Sequence, residues 1–143
     1  MPNTAANIAA KKSIAVAVGV VINGQRQVLI ALRSKAQHQG GLWEFPGGKI
    51  ESGESDCQGL ARELAEEVGI EVITTKALTT IEHDYGDKIV DLRFILVTEF
   101  SGEAQGKEGQ QIKWVSINDL PQYSFPEANN VIIPLLIEKF HCS

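Results

Sequence analysis

Apolar residues along the chain fall into short β-branched runs separated by turn residues, with one stretch of helical period between them. The alternation and turn punctuation predict strands at Ile14 to Ile22 and Gln27 to Leu32, joined by Asn23-Gly24, with further strands near Glu71 to Thr80, Ile89 to Phe100 and Gln111 to Val115. Residues 34 to 55 are rich in Gly, Ser and Pro and predict mostly loop. The best-specified element is a helix from about Asp56 to Val68. Ser55 and Gln58 have capping-box spacing at its start, and Gly69 stands where a left-handed residue ends a helix. At about 100° per residue, Cys57, Leu60, Ala61, Leu64, Ala65 and Val68 share one apolar arc. A second helix is expected to occupy much of Asn130 to Phe140, its start left open by Pro134, which is comfortable only in a first turn. Strands interleaved with two helices predict an α/β domain with a mixed sheet.

Length and composition fit that picture and narrow it. A chain of 143 residues is one ordinary domain, expected to start at Ser13 after a loose lead-in over residues 1–12 and to run to Ser143. With 43% hydrophobic and 22% charged residues it reads as a folded globular protein. The formal net charge of −5 argues against a surface that tracks nucleic acid, and it means that any anionic ligand needs a cation to neutralise it. Two cysteines, Cys57 and Cys142, lack the spacing of a zinc site or a disulfide framework, which suggests a reducing, cytoplasmic setting. Lys11-Lys12 before the apolar run imitates a targeting signal. The run is β-branched and ends in a turn, however, so a buried strand is the better reading, and no stretch is long enough to span a membrane.

The chemistry lies on the first helix. Glu63, Glu66 and Glu67 fall beside the apolar arc, where like charges at these spacings repel. Three glutamates on a helix are by themselves most often a solvated acidic face. They also suit a hard divalent cation such as Mg2+, which takes oxygen ligands and joins carboxylates to substrate phosphates. Just ahead, Phe45-Pro46-Gly47-Gly48 supplies a glycine pair whose bare backbone permits close approach.

Residues 48 to 70 read GKIESGESDCQGLARELAEEVGI, with Gly48, Glu54, Arg62, Glu63, Leu64, Glu66, Glu67, Gly69 and Ile70 at fixed spacing. This stretch resembles the signature of the Nudix hydrolases at every specified position. Seven of those positions are single identities, and at roughly 7% usage per residue type they coincide by chance on the order of once in a hundred million windows. A plain acidic face does not account for that.

The resemblance implies an α/β/α sandwich with a mixed sheet and a loop-helix-loop motif. It implies hydrolysis of a nucleoside diphosphate linked to another group, with Mg2+ as cofactor and Mn2+ as a substitute. Glu63, Glu66 and Glu67 are then metal ligands, with the Gly47 carbonyl, while Gly48, Glu54, Arg62 and Gly69 are structural and Glu54 pairs with Arg62. The stretches LWEFPGGKIE, GKEGQ and FPEANN are similar to the branch of the family that removes oxidised guanine nucleotides, converting 8-oxo-dGTP to 8-oxo-dGMP and pyrophosphate. That similarity makes Glu108 a further metal ligand or the general base, a role it shares with Glu63 as a candidate. It also makes Arg33, His38, Glu44, Phe45, Pro46, Gly47, Lys49, Lys88 and Asn129 nucleotide contacts. Taken singly, Lys88 and His38 read as surface residues and Asn129 also suits a helix cap, although its amide offers the donor-acceptor pair that reads a purine edge. Residues 84 to 88 depart from that branch's pattern. A pyrimidine-directed relative is the alternative enzyme, and a non-catalytic module reading oxidised guanine in DNA is disfavoured by the intact glutamates and the negative charge. The expected partner is a small nucleotide, with no stable nucleic acid, no membrane and a monomeric state.

Overall fold

The computed structural model describes residues 12–33 and 41–140. Among these residues, seven strands and three α-helices follow in the order β1 (Lys12–Val21), β2 (Gln27–Leu32), β3 (Trp43–Glu44), β4 (Gly47–Lys49), α1 (Asp56–Val68), β5 (Glu71–Asp84), β6 (Lys88–Ser101), β7 (Ile112–Ser116), α2 (Glu127–Asn130) and α3 (Ile132–Lys139), with a 3-10 turn at Ile117–Gln122 before α2. The mixed sheet expected from the sequence has order β4-β1-β6-β5, in which only β1 and β6 run parallel. A second, antiparallel sheet of order β3-β2-β7 adjoins it through an isolated Ile22–Val28 bridge.

The continuous apolar runs of β1 and β2 follow from burial on both faces. Val18, Val20, Ile22, Val28 and Ile30 point into one core with Phe94, Leu96, Ile132 and Leu136, whereas Ala17, Val21 and Leu29 point into another with Leu60, Leu64 and Val68. The sheets are thus sandwiched between α1 and α3. Leu60, Leu64 and Val68 are fully buried, each worth about 1.5–3 kcal/mol of transfer free energy, and they fix the roll of α1 against the sheet. Both helix ends fall where the sequence marks them. Ser55 Oγ accepts from Gln58 N at 3.1 Å, Gln58 Oε1 accepts from Ser55 N at 2.8 Å, and Gly69 closes the helix at φ 73°.

Several elements differ from expectation. The apolar arc is narrower than the helical wheel suggests, because Cys57 and Ala65 are exposed and Gly59 joins the buried set. β1 begins two residues earlier than expected, at Lys12, and β5 continues four residues beyond Thr80 because pairing with β6 runs on to Asp84 opposite Ile89. Residues 34 to 55 are not wholly loop. Gly47 and Gly48 pair with Val18 and Ala17 as β4, and Trp43-Glu44 pairs with Leu32 and Ala31 as β3, so partner strands override poor local propensity. The last helix starts at Ile132, which leaves Pro134 in its first turn, and Asn129 belongs to the separate turn α2 rather than capping it.

Candidate active site

Strand β4 lies against α1, and the closeness of that contact requires its glycines. A Cβ on Gly48 would stand 2.6 Å from Glu63 Oε2, inside the carboxylate's van der Waals envelope, and one on Gly47 would overlap the Ala17 carbonyl oxygen. Glu63 is held there by Arg62, whose NH1 donates to Glu63 Oε2 at 3.0 Å. The same guanidinium donates from Nε to Glu54 Oε2 at 2.7 Å and from NH2 to Glu54 Oε1 at 3.0 Å and the Lys49 carbonyl at 3.0 Å. This fork, with Glu66 at 3.5 Å, ties the loop after β4 to the helix. The Glu54–Arg62 pair expected from the resemblance is present, and it is closer than the Arg62–Glu66 pair that the spacing alone suggests.

The Arg62 hydrogen bonds, followed by the Glu51 N–H, hold the Glu54 carboxyl down at about 2, against an ordinary 4.5. A depressed carboxyl stabilises the fold fully above its unfolded value, and that contribution is lost as pH falls toward the folded one. The thermal midpoint of Glu54→Gln is therefore expected to lie below that of the unaltered protein above pH 4.5. The gap should close progressively as the pH is lowered from 4.5 toward 2. A gap that stays constant over this range would overturn the ion-pair origin of the stabilisation.

Glu67 is the carboxylate under greatest electrostatic pressure. Burial first, then a hydrogen bond with Glu63 and the charges of Glu63, Glu108 and Glu44, push its proton affinity far above the ordinary carboxylate range. Glu44 is also pushed up by burial, an effect that its partner Arg33 opposes. Glu108 sits on an exposed loop that folds back onto the end of α1, where the Glu67 carbonyl accepts from Lys107 N at 3.0 Å.

These groups border a cleft of about 1240 Å³ that runs from the α1 loop to the α2 turn. Arg33, Glu44, Phe45, Gly47, Lys49, Lys88, Glu108 and Asn129 all line it, together with Gly48 and Glu67. Phe45 is buried and stacks on Phe125 at 5.2 Å, while Lys88 Nζ lies 5.9 Å from the Tyr85 ring centroid. Other candidates are placed differently. Pro46 is buried behind the cleft, where its carbonyl accepts from Gly19 N at 2.7 Å, and Gly69 ends α1. Glu66, with its side chain 58% exposed, leans on Arg62 outside the cleft lining. His38 lies outside the described residues.

The cleft also recruits Tyr85, Asp87, Gln110, Gln111 and Pro126, which no reading of single residues selects. Gln110 and Pro126 sit in or beside the stretches GKEGQ and FPEANN, which carried the signal. Tyr85 and Asp87 sit in the tight turn between β5 and β6, where Tyr85 N donates to Lys88 O at 2.8 Å, and Gly86 between the two expected strands is the signal that could have located that turn.

Among the described residues, no three His, Cys, Asp or Glu side chains are gathered closely enough to hold a metal ion by themselves. The contacting pair Glu63 and Glu67 nevertheless fits a hard cation. Mg2+ is commonly held by one or two carboxylates with substrate phosphates completing its shell, and burial together with the neighbouring carboxylates Glu63, Glu108 and Glu44 disfavours the ionised form of Glu67, a cost that a bound cation would offset. No helix among the described residues is long and apolar enough to cross a membrane.

Comparison with known proteins agrees with this geometry. Residues 17–135 match the family model described as NUDIX domain. The 8-oxo-dGTP diphosphatase of Proteus vulgaris is 46% identical over 69% of this chain and 88% of its own length. The protein of the same description from Escherichia coli (strain K12) is 39% identical over 87% of this chain and 97% of its own. The CTP pyrophosphohydrolase of that organism is 37% identical over 83% and 86%. A solved structure from a study of MutT from Aliivibrio salmonicida and Vibrio cholerae superposes with a TM-score of 0.82 at 42% identity, covering 90% of this chain and all of that one. With the signature helix, its bracing arginine and a glutamate-lined cleft in one α/β/α sandwich, the chain belongs to the Nudix hydrolase family.

Proposed function

We propose that this enzyme is a Mg2+-dependent nucleoside triphosphate pyrophosphohydrolase. It converts 8-oxo-dGTP to 8-oxo-dGMP and pyrophosphate, acts as a cytoplasmic monomer formed by residues 13–143, and cleanses the nucleotide pool of oxidised guanine. The observation that carries the reading is one cleft with Asn129, Glu44 and Arg33 among its lining, Glu67 from the glutamate helix and Glu108 from the loop before β7, which supplies polar groups for a base and carboxylates to hold a cation. The two curated diphosphatase relatives support the same substrate.

In this reading Glu63, Glu66, Glu67, Glu108 and the Gly47 carbonyl would hold the cation, with Mn2+ able to replace it. When bound, the ion would supply positive charge against the negative charge that develops at phosphorus. Arg62 keeps Glu63 pressed on Gly48, so the loop and the helix carboxylates are in place before substrate arrives. Glu63 or Glu108 takes the proton of the attacking water. Lys49, exposed at the cleft edge, meets phosphate, and Arg33, Glu44, Phe45, Lys88 and Asn129 bound the nucleoside.

Pyrophosphate release from a nucleotide panel tests the proposal. With Mg2+ present, kcat/KM for 8-oxo-dGTP should exceed that for dGTP and for every cytosine nucleotide, and the chelated enzyme should be inactive. The ion should also raise the thermal midpoint, since a ligand confined to the folded state stabilises it by mass action. The CTP pyrophosphohydrolase relative favours a second reading, under which a cytosine nucleotide turns over best. Equal turnover of dGTP and 8-oxo-dGTP would end the cleansing role and leave the hydrolase chemistry in place.

A further inference from the structure

The loop that carries Glu108 is fastened to the glutamate helix by two backbone hydrogen bonds and by one side-chain amide. The last carbonyls of a helix have no intrahelical donor. In α1 the Glu67 carbonyl accepts from Lys107 N at 3.0 Å and from Gln110 Nε2 at 3.0 Å, and the Val68 carbonyl accepts from Gln105 N at 2.9 Å. The other end of the same Gln110 amide turns back on its own loop, where Oε1 accepts the Glu108 N–H at 2.9 Å. A single planar group therefore joins the backbone of Glu67 to the backbone of Glu108. Gln110 is half-buried and lines the cleft beside both carboxylates.

We infer that Gln110 is a positioning residue that sets the placement of the Glu108 carboxylate relative to Glu67, an inference that rests on the metal-dependent hydrolase reading above. The function requires an amide, because the two contacts demand a donor and an acceptor on one rigid group. A carboxylate of the same shape keeps the acceptor for Glu108 N but opposes the Glu67 carbonyl with a second acceptor and a negative charge. A thioether of similar length supplies neither contact. Hydrogen bonds behind acidic ligands typically govern how well those ligands are aimed.

The test is a double-mutant cycle on the full chain with Gln110→Met, Glu108→Gln and both together, with Gln110→Glu as the electrostatic companion. In the metal-free protein, amide exchange at Glu108 should speed up in Gln110→Met while the thermal midpoint changes little. Titration with Mn2+ alone should show affinity reduced by roughly tenfold, the lower end of outer-shell effects, with kcat for 8-oxo-dGTP falling by a similar factor and Gln110→Glu falling further. In the Glu108→Gln background the Gln110→Met loss should disappear, because the two residues then act as one unit. Equal fold losses in both backgrounds, or unchanged Mn2+ affinity with Glu108 N–H still protected, would overturn the inference. If Gln110→Met does not fold, Gln110→Asn carries the same cycle. A failure of the parent reading is separable: the unaltered protein would then show no metal-dependent hydrolysis, whereas exchange at Glu108 still reports the amide bridge.

Discussion

Glu67→Gln is expected to remove nearly all turnover while leaving the metal-free protein as stable as the unaltered one, or slightly more stable. Burial, the hydrogen bond to Glu63 and the charges of Glu63, Glu108 and Glu44 already favour the uncharged form of this side chain. A neutral amide of the same shape replaces that form with little loss of packing, and it removes repulsion that the helix otherwise bears. Turnover makes the opposite demand, since a hard cation needs the ionised oxygen that glutamine lacks. Losing charge stabilisation of several kcal/mol, about 4 kcal/mol at 1.36 kcal/mol per decade, lowers kcat roughly a thousandfold. Both quantities should be read on one preparation, with the thermal midpoint in chelator and kcat in saturating Mg2+. The stabilisation that Mg2+ gives the unaltered enzyme should shrink in the variant. Near-normal turnover in Glu67→Gln would remove this helix from the mechanism.

The second large effect is expected at the base. Oxidation of guanine at C8 converts N7 from an acceptor into an N–H donor. An asparagine amide can donate to O6 and accept from that new N–H together, whereas unmodified guanine meets it with acceptor against acceptor. Asn129 is presented for this by the α2 turn, in which its N–H donates to the Pro126 carbonyl at 2.9 Å and the neighbouring Phe125 and Ala128 are buried. Replacing Asn129 by Ala should therefore shrink the 8-oxo-dGTP to dGTP preference by about 1–3 kcal/mol, the scale of one bidentate base contact. The loss should appear mainly in KM, because the contact is remote from the reacting phosphorus. An undiminished preference in Asn129→Ala would exclude this contact as its source. Under the pyrimidine reading, cytosine nucleotides dominate and the guanine ratio stays almost unchanged in the variant.

What the sequence determined by itself was local or periodic. The capping residues Ser55 and Gln58 and the left-handed Gly69 delimit α1 because their effects act within a few residues. The same spacing that identifies the signature puts Arg62 and Glu63 on one side of that helix, so the family, the helix and the glutamate cluster were legible before any tertiary contact was known. The two-sided burial of β1 and β2 was written in their unbroken apolar runs.

Tertiary structure decided the rest, for reasons of sequence separation. Strands β3 and β4 exist because β2 and β1 offer backbone partners, which outweighs the turn-like chemistry of Phe45-Pro46-Gly47-Gly48. Folding also divided the three helix glutamates. Glu63 is pressed on Gly48, Glu67 is half-buried at the cleft, and Glu66 is left to Arg62 and solvent, because only some faces of α1 meet β4 and the Glu108 loop. Pro46 turned its carbonyl to Gly19 instead of its ring to the cleft. Tyr85 and Gln110 reached the cleft from a hairpin and a loop distant in the chain. No periodicity records such contacts, because they are fixed by where the tip of the β5–β6 hairpin and the loop before β7 meet the cleft, with long-range packing and backbone hydrogen bonds choosing the partners.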